Sequence, residues 1–205
     1  MNARDWDRRY TGEELLWGSA PDPAVVEFVA ALPPGRALDL GCGEGRNALW
    51  LALHAWQVTA VDFSTVALTK AVHACQPLPR ATRERLTWVN ADVTDIEYRP
   101  AYDLVLACHL NLSPESRRHL LRRAATALRP GGTMLALEHT PSRKELGDNR
   151  FPCTPEELAE DMNGPLTVTT ARWIGGDGAV AGTDETTDEP LRQALVVGFR
   201  GSVGS

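Results

Sequence analysis

Three glycines at alternate positions, Gly41, Gly43 and Gly45, stand in the stretch ALDLGCGEGRNA, residues 37–48. Asp39 lies just before them, between Leu38 and Leu40 in a short apolar run that reads as a buried strand. A strand that feeds a glycine loop and then a helix N-terminus suits a nucleotide, because missing side chains let backbone amides approach the ligand. Asp62 closes the next apolar run, QVTAVDFS, residues 57–64. A carboxylate at the end of a second strand accepts from both hydroxyls of a ribose. Asp92 follows a third run, LTWVNADVTD, residues 86–95, where it could bond an adenine amino group. His109 follows YDLVLAC in the run 102–112, and His139 closes LRPGGTMLALEH, residues 128–139. An imidazole titrates near neutrality, so either histidine could act as a general base or simply line a pocket.

These side chains need strands and helices to hold them. The helix after the glycine loop spans about residues 44–54, with Leu49, Ala52, Leu53 and Trp56 as its core stripe. Ser64 caps another helix, with Leu68, Ala71, Val72 and Cys75 on one face, and Pro77 and Pro79 end it. Ser113-Pro114 opens a third, with Leu120, Leu121, Ala124, Ala125 and Leu128 as its buried stripe. Pro21 and Pro23 open a helix that runs through Leu32. Thr154-Pro155-Glu156-Glu157 is a capping box, and residues 166–174 and 191–200 read as closing strands. Strands alternating with helices give an α/β, doubly wound, mostly parallel sheet with helices on both faces. Residues 1–20 are polar with Trp6, Tyr10 and Trp17 embedded; residues 140–153 are irregular, 175–190 a mobile hairpin loop, and 201–205 a disordered tail.

With these runs in view, the chain resembles the class I S-adenosylmethionine-dependent methyltransferases over roughly residues 5–200. Its loop is G-x-G-x-G, with Arg46 where the dinucleotide fingerprint has its last glycine. WDRRYTGEELLWG together with GCGEGRNA resembles the small bacterial tellurite-resistance and thiopurine-type members most closely. The resemblance implies a seven-stranded Rossmann-like sheet, order 3-2-1-4-5-7-6, with the last strand antiparallel. It implies one domain, residues 1–200, whose arm, residues 1–20, is a lid. It implies S-adenosyl-L-methionine as cofactor, bound by Trp17, Asp39, Gly41, Cys42, Gly43, Asn47, Asp62, Phe63, Asp92, Val93 and Cys108. Relatives carry glycine where this chain has Ala55; a left-handed alanine there costs about 1 kcal/mol.

Composition narrows the partners. The chain has 205 residues, a net charge of −6 and a pI near 5.4, against the positive footprint that nucleic-acid backbones require. Arg117, Arg118, Arg122 and Arg123 make the strongest basic patch, read here as the solvated face of a helix. No apolar run reaches the length of a membrane span, and MNARDWDRRY lacks the apolar core of a signal peptide. Cys42, Cys75, Cys108 and Cys153 are scattered without a C-x-x-C pair, so free thiols in a cytoplasmic protein and no metal site are expected.

The expected activity is methyl transfer to a small molecule by a monomer or homodimer. The run Cys108-His109-Leu110-Asn111 lacks the Asn/Asp-Pro-Pro-Tyr sequence of many enzymes that methylate base or amide nitrogens. Sulfur, selenium and tellurium acceptors and natural-product hydroxyls stay open, because fold and cofactor do not name an acceptor. A non-catalytic adenosylmethionine sensor or subunit is one alternative. A nicotinamide oxidoreductase is another, disfavoured by the loop and by the absence of a Tyr-x-x-x-Lys pair. His54, His73 and His119 fall on helices and are expected to be surface or packing residues.

Overall fold

A computed structural model describes residues 2–12, 14–139, 151–175 and 192–201. The readings of residues 140–150, 176–190 and 202–205 lie outside them. The strands are β1 (Arg36–Leu40), β2 (Gln57–Asp62), β3 (Leu86–Asn90), β4 (Tyr102–Cys108), β5 (Leu128–His139), β6 (Thr167–Ile174) and β7 (Gln193–Phe199). They form one sheet in the order β3-β2-β1-β4-β5-β7-β6. β1, β2 and β3 pair in parallel, whereas β7 runs antiparallel to both β5 and β6. The order that the resemblance implied is the order observed.

The chain divides into two compact units: Met1–Glu97 with Ala101–Leu106, and Tyr98–Pro100 with Ala107–Ser205. The first holds α1 (Ala3–Tyr10), α2 (Pro23–Val29), α3 (Arg46–Leu53), α4 (Thr65–Cys75) and a short α5 (Arg80–Arg83). β1 and β2 are buried over nearly their whole length because parallel strands are covered on both faces. Of the expected stripe Ala52 and Trp56 are buried, but Ala48 and Leu51 take the places of half-buried Leu49 and of Leu53, which is 52% exposed. The helix starts at Arg46, after left-handed Gly45, and this start sets the phase. Likewise Ala67, Leu68, Ala71 and Cys75 face inward on α4, while Val72 is exposed. Trp56 is buried beneath the end of α3, and Ala55 before it is left-handed, φ 67°, as expected.

The second unit holds α6 (Pro114–Ala124), a 3₁₀ turn at Ala125–Ala127 and α7 (Pro155–Met162). Ser113 caps α6, and Thr154 with Glu157 forms the expected capping box of α7. Leu120, Leu121, Leu128, Met134, Leu135, Leu137 and Leu158 fill the core. Leu121→Ala would cost about 2–5 kcal/mol through lost burial and a residual cavity.

The basic patch differs from its sequence reading. Arg117 is 3% exposed, and its Nε donates to Asp161 Oδ2 at 2.7 Å, while the Nε of exposed Arg118 reaches Oδ1 at 2.8 Å. Asp161, fully buried on α7, draws the arginines inward, because a buried carboxylate needs a partner. His54, His73 and His119 are exposed.

Candidate functional site

In the first unit the site grows from the turn after β1. Gly41, Gly43 and Gly45 all have positive φ, 65°, 53° and 84°. A Cβ on Gly43 would stand 2.8 Å from the Tyr10 hydroxyl, and one on Gly45 2.7 Å from the Trp88 ring. Both positions therefore require glycine for conformation and for space. Cys42 is buried between the first two, its thiol pushed up by burial and then by the charges of Asp39 and Asp62. Asn47 is buried on α3, and its Oδ1 accepts from the Asp22 amide at 2.9 Å, tying the entrance of α2 to the loop.

Two carboxyls flank this turn. Asp39 is 2% exposed and accepts from the Ala48 amide in the first turn of α3. Burial, then repulsion by Asp62, raises it to about 7. Its Oδ2 is buried without a hydrogen-bond partner among the described residues. Asp62 takes the Gly43 amide on Oδ2 and the Ser64 amide on Oδ1, each at 2.8 Å. Burial raises its pKa, and those amides pull it back down. The Phe63 amide bonds the same carboxylate, which still has acceptor capacity for a ligand hydroxyl. Phe63 is half-buried beside it. Asp92 is exposed; its Oδ1 accepts from the amide and hydroxyl of Thr94 at 2.8 and 2.7 Å, which closes the turn that carries Val93.

The N-terminal arm is more ordered than its sequence suggests. Asn2 and Asp5 form a capping box that starts α1. Asp7 accepts from the Ser64 hydroxyl at 2.6 Å and the Val66 amide at 3.3 Å, so the arm's carboxylate caps α4. Tyr10 is 5% exposed, stacks on Trp6 with centroids 5.7 Å apart, and takes a hydrogen bond from the Trp17 indole. Burial pushes the Tyr10 phenol well above its ordinary value, so it stays a neutral donor at neutral pH. Glu44, also buried, accepts from the Leu16 amide at 2.8 Å and pairs with Lys70 at 2.9 Å, and Lys70 donates to the Glu14 carbonyl at 2.7 Å. Trp17 itself stays 39% exposed.

In the second unit β4 ends at buried Cys108, and the chain then turns through two left-handed residues, His109 at φ 57° and Asn111 at φ 50°. The His109 amide donates to the Leu137 carbonyl at 2.7 Å. The imidazoles of His109 and His139 stack, with centroids 3.8 Å apart and planes 14° from parallel. The two histidines picked out as general bases therefore form one pair.

Known proteins agree with this geometry. Residues 37–132 match the family described as "Methyltransferase domain". Over that stretch the chain is similar to methyltransferase domains. It is 30% identical over 141 residues to thiocyanate methyltransferase 1 of Arabidopsis thaliana, covering 64% of this chain and 60% of that one. It is 34% identical over 114 residues to hemagglutinin 1 of Eikenella corrodens, covering 53% of this chain and 36% of the other. The chain spans between about a third and three fifths of the length of the first curated relatives it matches. In structure it is similar to the glycopeptide N-methyltransferase MtfA complexed with S-adenosylmethionine, with a TM-score of 0.69, 19% identity, and 90% and 89% of the two chains covered.

Sequence reading of the chain did not single out Asp7, Glu44 or Glu138. Asp7 and Glu44 lie far in sequence from what they bind, Ser64 and Lys70. Glu44 had one available signal: a charged residue between glycines of a buried turn needs a partner. Glu138, buried in the apolar end of β5, carried the same signal.

Proposed function

We propose that this protein transfers a methyl group from S-adenosylmethionine to a small-molecule acceptor. The observation that carries the reading is the cradle of the first unit, three left-handed glycines between two buried strand-end carboxyls. Asp39 has a buried oxygen without a hydrogen-bond partner among the described residues, which suits the amino group of the cofactor. Asp62 has lone pairs left for ribose hydroxyls, and Asp92 and Val93 follow β3, where an adenine would be met. Gly41, Cys42, Gly43, Asn47, Phe63, Trp17 and Cys108 complete the proposed set.

Bound, the cofactor supplies a methyl group already joined to a good leaving group, so the protein's task is position and dryness. Residues 1–20 serve as the lid: Tyr10 is buried over Gly43, and Trp17 bonds its hydroxyl. His109, stacked on His139, takes the proton of an acceptor that must lose one. Sulfur acceptors are the first class to test, since they need little base catalysis and a matched relative is named for thiocyanate methylation. Four buried free cysteines suit a reducing, cytoplasmic setting. No described helix is long and apolar enough to cross a membrane.

The deciding experiment offers thiols, thiocyanate, phenols and amines with adenosylmethionine and detects adenosylhomocysteine. In parallel, adenosylhomocysteine at a hundred times its dissociation constant should add about 2.7 kcal/mol of stability, and NAD none. A melting shift with NAD alone would refute the cofactor. Binding of adenosylhomocysteine without turnover on any acceptor class would make the protein a sensor or subunit instead.

A further inference from the structure

The segment His109–Leu110–Asn111 has a conformation its own residues do not favour. Two of its three residues are left-handed without being glycine. Asparagine and histidine enter that region more readily than most residues, yet each loses by it relative to glycine, and two such residues so close together persist only where surroundings impose them. The amide of His109 is held by Leu137. The next two amides, of Leu110 and Asn111, both donate to one carboxylate, that of Glu138. Successive amides converging on an anion form a nest, and the nest fixes the backbone that makes it.

Glu138 is well placed for this role and for no evident other. It is 8% exposed, near the end of β5, next to His139. Adjacent strand residues point to opposite faces. Thus β5 offers a carboxylate to the loop backbone on one side and, on the other, the imidazole on which His109 stacks. Arg117 lies near Glu138 and is anchored by Asp161, so the carboxylate has a fixed cation beside it. Buried Cys153 also lies close, its thiol raised to about 12 chiefly by burial.

We propose that Glu138 is a positioning residue: by accepting from the Leu110 and Asn111 amides it holds the left-handed turn that stacks His109 on His139. The consequence for turnover rests on the proposed methyl transfer; the consequence for the turn does not. Glu138 touches no reacting atom in this scheme and acts through the backbone of its neighbours.

The test uses the full chain labelled with ¹⁵N-histidine, with His109→Asn identifying the resonances of the pair. In the parent, both imidazoles should show the mutual upfield ring-current shift of a stack. Glu138→Ala should abolish that shift and lower kcat at least about tenfold, since small misplacements near chemistry are felt strongly, while KM for adenosylmethionine stays within about twofold. Adding Asn111→Gly to Glu138→Ala should restore most of both, because glycine adopts the left-handed turn without strain. If Glu138→Ala does not fold, Glu138→Asp decides, as it keeps the charge but withdraws it by one methylene; loss of the ring shift is expected. A folded Glu138→Ala or Glu138→Asp that keeps the stack and the turnover overturns the proposal. So does a failure of Asn111→Gly to rescue, which would leave Glu138 a general packing residue. If even the parent shows no methyl transfer, the proposed function fails, and the ring shifts still decide the role of Glu138.

Discussion

The glycine turn of the first unit and the histidine turn of the second solve one problem in opposite ways. Each turns the chain through left-handed residues after a strand. The first does so with glycine, where the conformation costs nothing and leaves room for Tyr10 and Trp88. The second does so with His109 and Asn111, and a buried carboxylate in another strand supports the backbone. A glycine turn can present only amides. A turn that must present a side chain forgoes glycine, and the support then comes from residues distant in the chain. Binding of a backbone-cradled ligand fits the first design, and a placed imidazole fits the second.

The support of the second turn should be the easier to break. Arg117→Met leaves buried Asp161 with, among the described residues, only the exposed Arg118 as its side-chain partner and removes the cation beside Glu138. Breaking a buried pair from one side costs about 3–5 kcal/mol, so urea denaturation should show a large fall in midpoint. Arg118→Ala, at the exposed end of the same cluster, should lose less than about 1 kcal/mol. Equal losses would mean that Asp161 does not depend on Arg117 in particular.

The first turn should fail through space. Gly45→Ala puts a methyl 2.7 Å from the Trp88 ring and 3.1 Å from Ala71 Cβ, at a φ that alanine resists. Overpacking and backbone strain together should cost about 2–4 kcal/mol, read by the same denaturation. Asp62→Ala acts on the ligand instead: loss of a charged hydrogen-bond acceptor should weaken adenosylhomocysteine binding by about 1.5–3 kcal/mol, measured by titration calorimetry. Unchanged affinity would remove Asp62 from the site.

The two turns also predict a common pH dependence. Asp39 beside the first and Glu138 beneath the second are each raised to about 7, mainly by burial. Between the ordinary carboxyl range and pH 7 the folded state therefore holds protons that the unfolded chain has released. Their contribution to stability is fully present below about pH 4 and is lost as pH rises toward 7. Glu138→Gln removes one share of this, so its stability relative to the parent should rise from pH 5 to pH 8. A flat difference would mean that Glu138 titrates as an ordinary carboxyl.

How much was legible follows the same divide. The glycine loop, Asp39 and Asp62 sit within one short stretch of chain, and their spacing states their use. The strand order came from resemblance, since pattern alone does not order a sheet. The phase of α3 was misjudged because apolar Leu49 and Leu53 outweighed Ala48 and Leu51, and only the helix start at Arg46 settles which pair faces inward. Arg117 was placed in solvent because its partner, Asp161, lies on another helix. In a helix the arginine is indistinguishable from its neighbours until the carboxylate that buries it is known. The helix in the arm was not legible for a related reason: α1 is held by Asp7 on the N-terminus of α4, a tertiary contact without local periodicity.

The smallest effect is the one that tests the comparison most cleanly. Ala55 is left-handed at φ 67°, exposed, and follows α3 in the tight approach to Trp56. Unlike His109, it carries no side chain that the turn exists to present, and no acid supports it in the contacts of the first unit described above. If left-handed residues are kept only where a side chain is needed, Ala55 is simply strained. The αL conformation costs an alanine about 1–2 kcal/mol, and glycine's extra freedom in the unfolded chain returns about 0.4–1 kcal/mol of that. Ala55→Gly should therefore stabilise the protein by about 0.5–1 kcal/mol, raising Tm by about 1–4 °C for a chain of this size. The same change at His109 should also relieve strain in the fold, yet remove the imidazole and with it the proposed base. Calorimetric melting of the two variants, with adenosylhomocysteine formation followed in each, separates strain kept for function from strain merely tolerated. A lower Tm for Ala55→Gly would show that the methyl group packs favourably and that the left-handed alanine is not a liability.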